Sequence, residues 1–352
     1  MNGVQPILVD AALHQALSST ASSADAIPQW PSSPWQRLRE AGVLAWSIPR
    51  DHGGQALSAT HLLAGYEPLA GACLTTAFIL SQREAAVRRL IASANVALAR
   101  RFLPGLARGE LFATVGLSQL TTSRQHQAPA LTVSETPTGF RLDGLTPWVT
   151  GAEQSDLIVI GATLADGRQL LLGLPRGQEG VAIEPPLPLM ALAGSVTCTL
   201  RLKDVALDRD WLIAGPAEKI MAGKPGGVGG LETSCLALGL AGAAVDYVCQ
   251  EAERRSDLSP AANRLQQVRE RLRTRLHDLA DATPTQEDLV AVRVECTQFT
   301  LQATQVAMTT AKGAGFVSPH PVQRWARQAL FFLVLSCPRP AAEGLIGQLL
   351  PA

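Results

Sequence analysis

The residues that could carry chemistry without a cofactor lie scattered along this chain. Six cysteines occur far apart, without a Cys-x-x-Cys pair and mostly among apolar neighbours. This pattern is typical of buried free thiols in a reducing compartment. The histidines show no spacing typical of a metal site or a catalytic triad. We therefore expect no metal site, and a surface or core position for each histidine.

A glycine run is a candidate for a phosphate-binding loop. It reads Gly223-Lys224-Pro225-Gly226-Gly227-Val228-Gly229-Gly230 and lacks the P-loop order, in which four residues separate a glycine from Gly-Lys-Ser/Thr. No Gly-x-Gly-x-x-Gly follows a predicted strand either, so the pattern argues against a Rossmann domain. We interpret the run as a flexible connector or a tight backbone approach.

The composition excludes several classes of protein. Of 352 residues, 47% are hydrophobic and 17% are charged, which argues against disorder. Thirty basic and thirty acidic side chains cancel, so nothing in the charge predicts a nucleic acid or an anionic membrane as partner. The first thirty residues lack a signal-peptide pattern, and no apolar stretch reaches the length of a membrane span. We expect a cytoplasmic, soluble protein.

The hydrophobic period divides the chain into three parts. Apolar residues recur at helical spacing from about residue 31 to 109, at a period of two from 111 to about 208, and at helical spacing again from 231 onward. The strands come about ten residues apart without helices between them, which favours an antiparallel sheet or barrel. We predict an α+β protein with a helical domain at 1–110, an antiparallel β-barrel domain at 111–214 and a helical bundle at 215–352.

Four local sequences, in this order, span about residues 33 to 340. The four are Trp35-x-x-Leu38 running into Ile48-Pro49-x-x-x-Gly53-Gly54, Gly139-Phe140-Arg141-Leu142-Asp143-Gly144 running into Trp148-Val149-Thr150-Gly151, Leu200-Arg201-Leu202-Lys203-Asp204-Val205, and Gly313-Ala314-Gly315-Phe316 followed by the stretch 320–329. Together they resemble the corresponding sequences of the acyl-CoA dehydrogenase family of flavoproteins.

The resemblance implies a concrete activity. In the family, FAD lies between the β-domain and the C-terminal bundle, usually with help from a neighbouring subunit, and an acyl thioester stacks on the flavin. A carboxylate removes the α-proton while a hydride leaves the β-carbon for the flavin. The resemblance also implies a homodimer or homotetramer and is compatible with an electron-transfer flavoprotein as redox partner.

Four residues match the family positions that contact the flavin ring. Trp148 and Thr150 correspond to a tryptophan and a threonine that pack on and hydrogen-bond to the ring. Leu117 and Ser118 lie where the family has a Thr-Glu-Pro-like turn, although the continuation departs from it. The alternatives are a tryptophan in the core of the β-domain and a plain polar loop.

Two further residues match cofactor-binding positions of the family, one of them at the FAD pyrophosphate. Arg254 corresponds to the arginine of an Arg-x-Gln-Phe-Gly motif, whose Gln and Phe this chain lacks. A guanidinium suits a phosphate because it presents a fork of donors. Gly313 belongs to a partial match of the family's Gly-Gly turn. The alternative for Arg254 is a solvated basic residue at a helix C-terminus, where the helix dipole favours it.

The catalytic carboxylate is displaced relative to most of the family. The usual glutamate position, after the last long helix, is Ser336 in this chain, and a serine hydroxyl cannot act as the base without an activating neighbour. Some members place the glutamate at the start of the first bundle helix, and Glu232 lies about one turn from that position. The alternative is that Glu232 is an N-terminal acid complementing the helix dipole.

Three hypotheses about function follow. The first is an FAD-dependent oxidoreductase that oxidises an acyl thioester or a related small molecule. The second keeps the flavin but activates oxygen or oxidises a molecule without CoA, because the arginine that meets the CoA nucleotide in many members falls in the glycine run at 226–230. The third is a non-catalytic relative that uses the fold for binding or assembly.

Overall fold

The computed structural model describes residues 8–121, 128–222, 230–335 and 337–350. Helices come first, strands occupy the middle, and helices follow again. This order confirms the predicted α+β class and the predicted change from helix to strand and back to helix.

In the N-terminal part, polar side chains cap the starts of three of the five helices. The carboxylate of Asp10 accepts a hydrogen bond from the backbone N–H of Leu13 at 2.7 Å, and Ser58 and Asn95 cap later helices in the same way. The helices are α1 (Ala11–Ala26), α2 (Ser32–Glu40), α3 (Ala59–Ala72), α4 (Leu74–Ala92) and α5 (Val96–Ala107).

A sharp turn with two glycines lies between α2 and α3. Gly53 has a φ of 79°, which L-residues rarely adopt. At Gly54, a Cβ atom would lie 1.9 Å from the carbonyl oxygen of Ile48. Glycine is therefore required at both positions, for backbone freedom at the first and for a close approach at the second.

The middle part forms one eight-stranded sheet in the order β6-β7-β3-β2-β4-β5-β8, with β1 pairing to β4. Its elements are β1 (Ala113–Gly116), a short helix α6 (Ser118–Thr121), β2 (Leu131–Glu135), β3 (Gly139–Val149), β4 (Leu157–Thr163), β5 (Gln169–Pro175), β6 (Val181–Ile183), β7 (Cys198–Asp208) and β8 (Leu212–Ala217).

The prediction of an antiparallel barrel was wrong in two respects. The sheet is mixed, because β1 runs parallel to β4, and its strand order is an open path between β6 and β8 instead of a closed cylinder. Parallel neighbours need a long crossover. Here α6 and the β2–β3 hairpin lie between β1 and β4 along the chain and supply that crossover, which a strand-by-strand pattern does not reveal.

The C-terminal part begins with three long helices, which are separated by breaks near Asp257 and Pro284, and a further break near Gly313 follows the third helix. The first and third of these helices run in the same direction. Thr300 Oγ1 of the third donates to Ala237 O in the first half of the first helix at 2.8 Å, and Arg255, just after the first helix, donates to Thr310 O near the end of the third at 2.9 Å. The helices are α7 (Glu232–Arg254), α8 (Ser259–Asp281), α9 (Gln286–Ala311), α10 (Pro321–Phe331) and α11 (Arg339–Leu349). The sequence analysis did not predict α11.

Buried apolar residues join the parts. The largest cluster combines α1, α3 and α4 with the bundle helices, a second links α4 and α5 to one face of the sheet, and a third lies within the sheet. The division at residues 110 and 214 stays a prediction. No helix in the described ranges combines the length and apolarity needed to cross a membrane.

Candidate functional site

Trp148 lies at a β-bulge near the end of β3. Thr146 pairs with Leu200 of β7 and Val149 with Cys198, so two residues of β3 oppose one of β7. At this bulge Trp148 has a φ of 59°, and its residue surface is 50% exposed. A bulky residue with a left-handed backbone is an outlier of the kind that clusters at functional sites. The bulge presents an indole at the surface of the sheet.

The side of the bulge nearest α6 is held by side chains of that helix. Ser118 Oγ donates to the carbonyl oxygen of Pro147 at 3.1 Å. Gln119 accepts from Thr146 Oγ1 at 3.0 Å, and its amide nitrogen donates to Gly161 O at 2.7 Å. Gln119 therefore connects α6 to β3 and β4. These bonds give a structural role to a glutamine that departs from the Thr-Glu-Pro-like turn of the family.

The other side of the bulge is held by buried hydroxyls. Thr150 is 1% exposed, and its Oγ1 lies 3.0 Å from Thr197 Oγ1. Thr197 in turn lies 2.9 Å from Ser195 Oγ. Leu117 is also buried. The structure thus brings Leu117, Ser118, Trp148 and Thr150 to one end of β3, but of these only Trp148 offers an exposed side chain.

Glu232 begins α7 and faces α4. Its Oε2 accepts from Arg88 Nη2 at 2.7 Å, the residue is 8% exposed, and its Oε1 is buried without a hydrogen-bond partner among the described residues. Burial raises the pKa of Glu232, and the adjacent Arg88 guanidinium opposes this without cancelling it. Glu232 is therefore an ion-paired carboxylate with one uncommitted oxygen.

Further ionisable groups surround this pair. Burial is the largest cause of the raised pKa of Glu232, and like-charge repulsion from Glu84 raises it further, while Arg88 lowers it. Glu84 itself is bonded to Arg83 and to Ser47. The pKa of the buried Tyr66 phenol is well above its usual value because of burial and then the charges of Glu84 and Glu232. The seam between α4 and α7 is therefore a buried charged region.

Arg254 and Gly313 lie at the opposite end of α7. The 23 residues of α7 correspond to about 33 Å between Glu232 and Arg254, at 1.5 Å per residue. Arg254 is exposed, and the bond from neighbouring Arg255 to Thr310 holds this end of α7 against the end of α9, just before Gly313. A Cβ on Gly313 would meet open space. Arg254 and Gly313 thus both lie away from Glu232.

Ser336, the usual glutamate position, lies outside the described residues. The chain before it is held by Arg293, which donates to Phe332 O at 2.8 Å and to Leu335 O at 2.7 Å. Burial lowers the pKa of this guanidinium to about 10. Arg293 therefore anchors the end of the chain segment that follows α10.

All six cysteines are free, as predicted from the sequence, and four of them are buried. Burial raises the pKa of Cys296 to about 12, which makes its thiol a poor nucleophile. The described residues contain no group of three or more His, Cys, Asp or Glu that could hold a metal ion.

Three residues of this region escaped the sequence analysis. Arg88, Gln119 and Thr197 belong to no motif, and each matters through a partner far away in sequence. The only local signal was Gln119, which departs from the turn that the resemblance implies. Long-range pairs of this kind cannot be read from spacing.

The fold has known relatives. Residues 8–110 match the family model described as acyl-CoA dehydrogenase, N-terminal domain. The short-chain specific acyl-CoA dehydrogenase of Mus musculus mitochondria is 19% identical over 320 residues, which are 85% of this chain and 78% of that protein. Butyryl-CoA dehydrogenase from Megasphaera elsdenii superposes with a TM-score of 0.86 at 18% identity, covering 100% of both chains. A glutaryl-CoA dehydrogenase from Mycobacterium smegmatis, solved in complex with FADH2, superposes with a TM-score of 0.84 at 15% identity, covering 97% of this chain and 95% of that one.

These likenesses define the class. The arrangement of helical region, mixed sheet and helical bundle is the acyl-CoA dehydrogenase fold. In sequence the chain resembles acyl-CoA dehydrogenases at low identity, and residues 8–110 match the model of their N-terminal domain.

Proposed function

We propose that this protein is an FAD-dependent oxidoreductase that oxidises an acyl thioester between its α- and β-carbons. The observation that carries the proposal is the buried carboxylate of Glu232, which has one oxygen on Arg88 and the other without a partner in the described part of the chain. Such a carboxylate is held in place and retains an acceptor for a proton.

The cofactor we propose is FAD, and Trp148 is its proposed ring platform. A half-exposed indole fits a planar ring, because offset aromatic stacking stabilises such contacts. The hydroxyls of Ser118 and Thr150 are engaged with Pro147 and Thr197, so the indole is the main side-chain contact at this strand end. Relatives of the same fold support FAD, including the glutaryl-CoA dehydrogenase with FADH2.

The proposed chemistry divides between the protein and the cofactor. Glu232 takes the α-proton on Oε1, while Arg88 holds Oε2 and favours the ionised form of the carboxylate. FAD, when bound, supplies the acceptor for the hydride that leaves the β-carbon, and a carbon–carbon double bond remains. Because burial raises the pKa of Glu232, its carboxylate is a stronger base than an exposed glutamate.

The remaining parts of the proposal concern partners. Arg254 and Gly313 lie at the far end of α7 from Glu232, so we propose that they meet the pyrophosphate of an FAD bound by a second copy of the chain. A homodimer or homotetramer would supply that copy. An electron-transfer flavoprotein is the proposed electron acceptor.

A second candidate function follows from the same ion pair. Arg88 neutralises Glu232 and occupies one of its oxygens, which would also suit a flavoprotein that performs no α-proton abstraction. Such a protein would use its reduced flavin on oxygen or on a substrate without CoA.

The visible spectrum of the purified protein, with and without added FAD, tests the proposal. We expect flavin absorption bands that bleach anaerobically when a suitable acyl-CoA from a chain-length series is added. Flavin bands that no acyl-CoA bleaches, with rapid reoxidation of the chemically reduced flavin by oxygen, would favour the second candidate. A colourless protein that takes up no FAD would refute both and favour a binding or assembly role.

A further inference from the structure

We infer that Gln119 and Thr197 are positioning residues that hold the indole of Trp148 outward, one on each side of the β3 bulge. The inference rests on the proposed function in one respect, since the indole is the proposed flavin platform. Neither residue belongs to a motif. The amide of Gln119 and the hydroxyl of Thr197 are both hydrogen-bonded within the protein, so we do not expect either group to contact a flavin ring directly.

The conformation of Trp148 needs such a restraint. A φ of 59° places the Cβ of a bulky residue close to its own backbone, and a bulge breaks the ladder that would otherwise fix the strand. Strained backbone of this kind persists only where the surroundings over-determine it. Both residues that flank the bulge, Thr146 and Val149, pair with β7, but Pro147 and Trp148 between them lack this pairing.

Gln119 restrains the first side. Its amide oxygen accepts from Thr146 Oγ1 at 3.0 Å, and its amide nitrogen donates to Gly116 O at 3.1 Å and Gly161 O at 2.7 Å. The amide therefore links β1, β3 and β4, and its contact on β3 is Thr146, directly before Pro147 and Trp148. A side chain with three bonds to three strands leaves Thr146 little freedom to rotate.

Thr197 restrains the second side. Its hydroxyl lies 3.0 Å from Thr150 Oγ1 and 2.9 Å from Ser195 Oγ, and all three residues are buried. Thr197 is the central member of this series of three hydroxyls. Loss of its hydroxyl would therefore leave those of Thr150 and Ser195 without this partner. An unpaired buried hydroxyl is costly, and Thr150 would have to rotate or shift, taking the end of β3 with it.

The experiment is a double-mutant cycle on FAD binding. Thr197→Val keeps the shape of the side chain and removes its hydroxyl, and Thr197→Ser keeps the hydroxyl. We expect Thr197→Val to weaken FAD binding by about tenfold, as the loss of a buried hydrogen-bond network suggests, and Thr197→Ser to bind within about threefold of the parent. In a Trp148→Ala background Thr197→Val should have no further effect. An equal loss in both backgrounds would overturn the inference.

The matched control is Thr297→Val. Thr297 is buried in α9, and its hydroxyl has no hydrogen-bond partner among the described residues. The same chemical change there should leave FAD affinity unchanged. Gln119→Leu should behave like Thr197→Val, in both the parent and the Trp148→Ala background.

A second readout does not depend on FAD. The emission of Trp148 is obtained as the difference between the parent and a Trp148→Phe variant, and its quenching by acrylamide reports the exposure of the indole. We expect Thr197→Val and Gln119→Leu to change the quenching constant, while Thr297→Val does not. Unchanged quenching in the first two would overturn the inference even if the parent binds no FAD, so failure of the proposed function and failure of this inference remain distinguishable.

Discussion

Arg88 of α4 donates to the carboxylate of Glu232 at the start of α7 over 2.7 Å. Helix N-termini favour acids, but a residue that only served the helix dipole would have no reason to be buried against a guanidinium from another helix. The pairing fixes the position of one carboxylate oxygen and leaves the other buried and unpartnered. The first two predictions follow from this geometry.

Glu232→Gln should abolish acyl-CoA turnover while preserving the cofactor. An amide cannot accept the α-proton, so we expect kcat to fall by about two to four orders of magnitude, the usual contribution of a positioned base. FAD content and the visible spectrum should stay as in the parent, since Trp148 lies on another element. Glu253→Gln, on the exposed surface of the same helix, should leave kcat unchanged. A Glu232→Gln protein that still bleaches at the parental rate would exclude Glu232 as the base.

Arg88→Met should move the acidic limb of the activity profile to higher pH. Burial raises the pKa of Glu232, and Arg88 is the main group that opposes the rise. The base works only when ionised, so activity falls as the pH drops through this pKa, and removing Arg88 raises the pH at which the fall occurs. The dependence of kcat/KM on pH measures this. Arg89→Met, which removes a guanidinium with a weaker effect on Glu232, should shift the limb less.

Trp148→Gly should be more stable than Trp148→Ala. Both variants lose the indole, but glycine adopts a φ of 59° without the cost that alanine incurs, about 1 kcal/mol. Urea unfolding of the two variants gives the difference in the free energy of unfolding. At Ile183, an exposed residue of the edge strand β6 without a left-handed backbone, the order should reverse. Equal stability of the two Trp148 variants would show that the backbone relaxes and stores no strain.

The fold was largely predictable from sequence because its signals are local. Periods of two and of about three and a half residues depend on which side of a strand or helix is buried, and glycines such as Gly53 mark turns through their own backbone. The strand order was not predictable, because parallel pairing of β1 with β4 depends on what the intervening chain does in space.

The candidate site was less predictable for the same reason. Trp148 stood out as part of a motif, but the bulge that exposes it depends on register with β7, and its restraints come from Gln119 and Thr197 on other elements. Glu232 was found by position along the chain. Its partner Arg88 lies 144 residues away in sequence, and no spacing rule connects them.

Glu67→Gln should destabilise the protein in a pH-dependent way. Glu67 of α3 is buried and bonded to Arg273 and Arg269 of α8, and although burial alone would raise its pKa, the two guanidinium groups lower it below the ordinary value of 4.5. The stabilisation is therefore fully present above that value and is lost as the pH falls through the lowered pKa.

At neutral pH we expect Glu67→Gln to lose about 3 kcal/mol of the free energy of unfolding, the lower end of the cost of breaking a buried ion pair. The deficit should shrink as the pH falls below the lowered pKa of Glu67, because the parental carboxyl is then neutral too. Urea unfolding of parent and variant across this range measures it. Glu270→Gln removes the exposed partner of the same Arg273 and should cost less than about 1 kcal/mol at neutral pH. A deficit independent of pH would mean that packing, not charge, accounts for the contribution of Glu67.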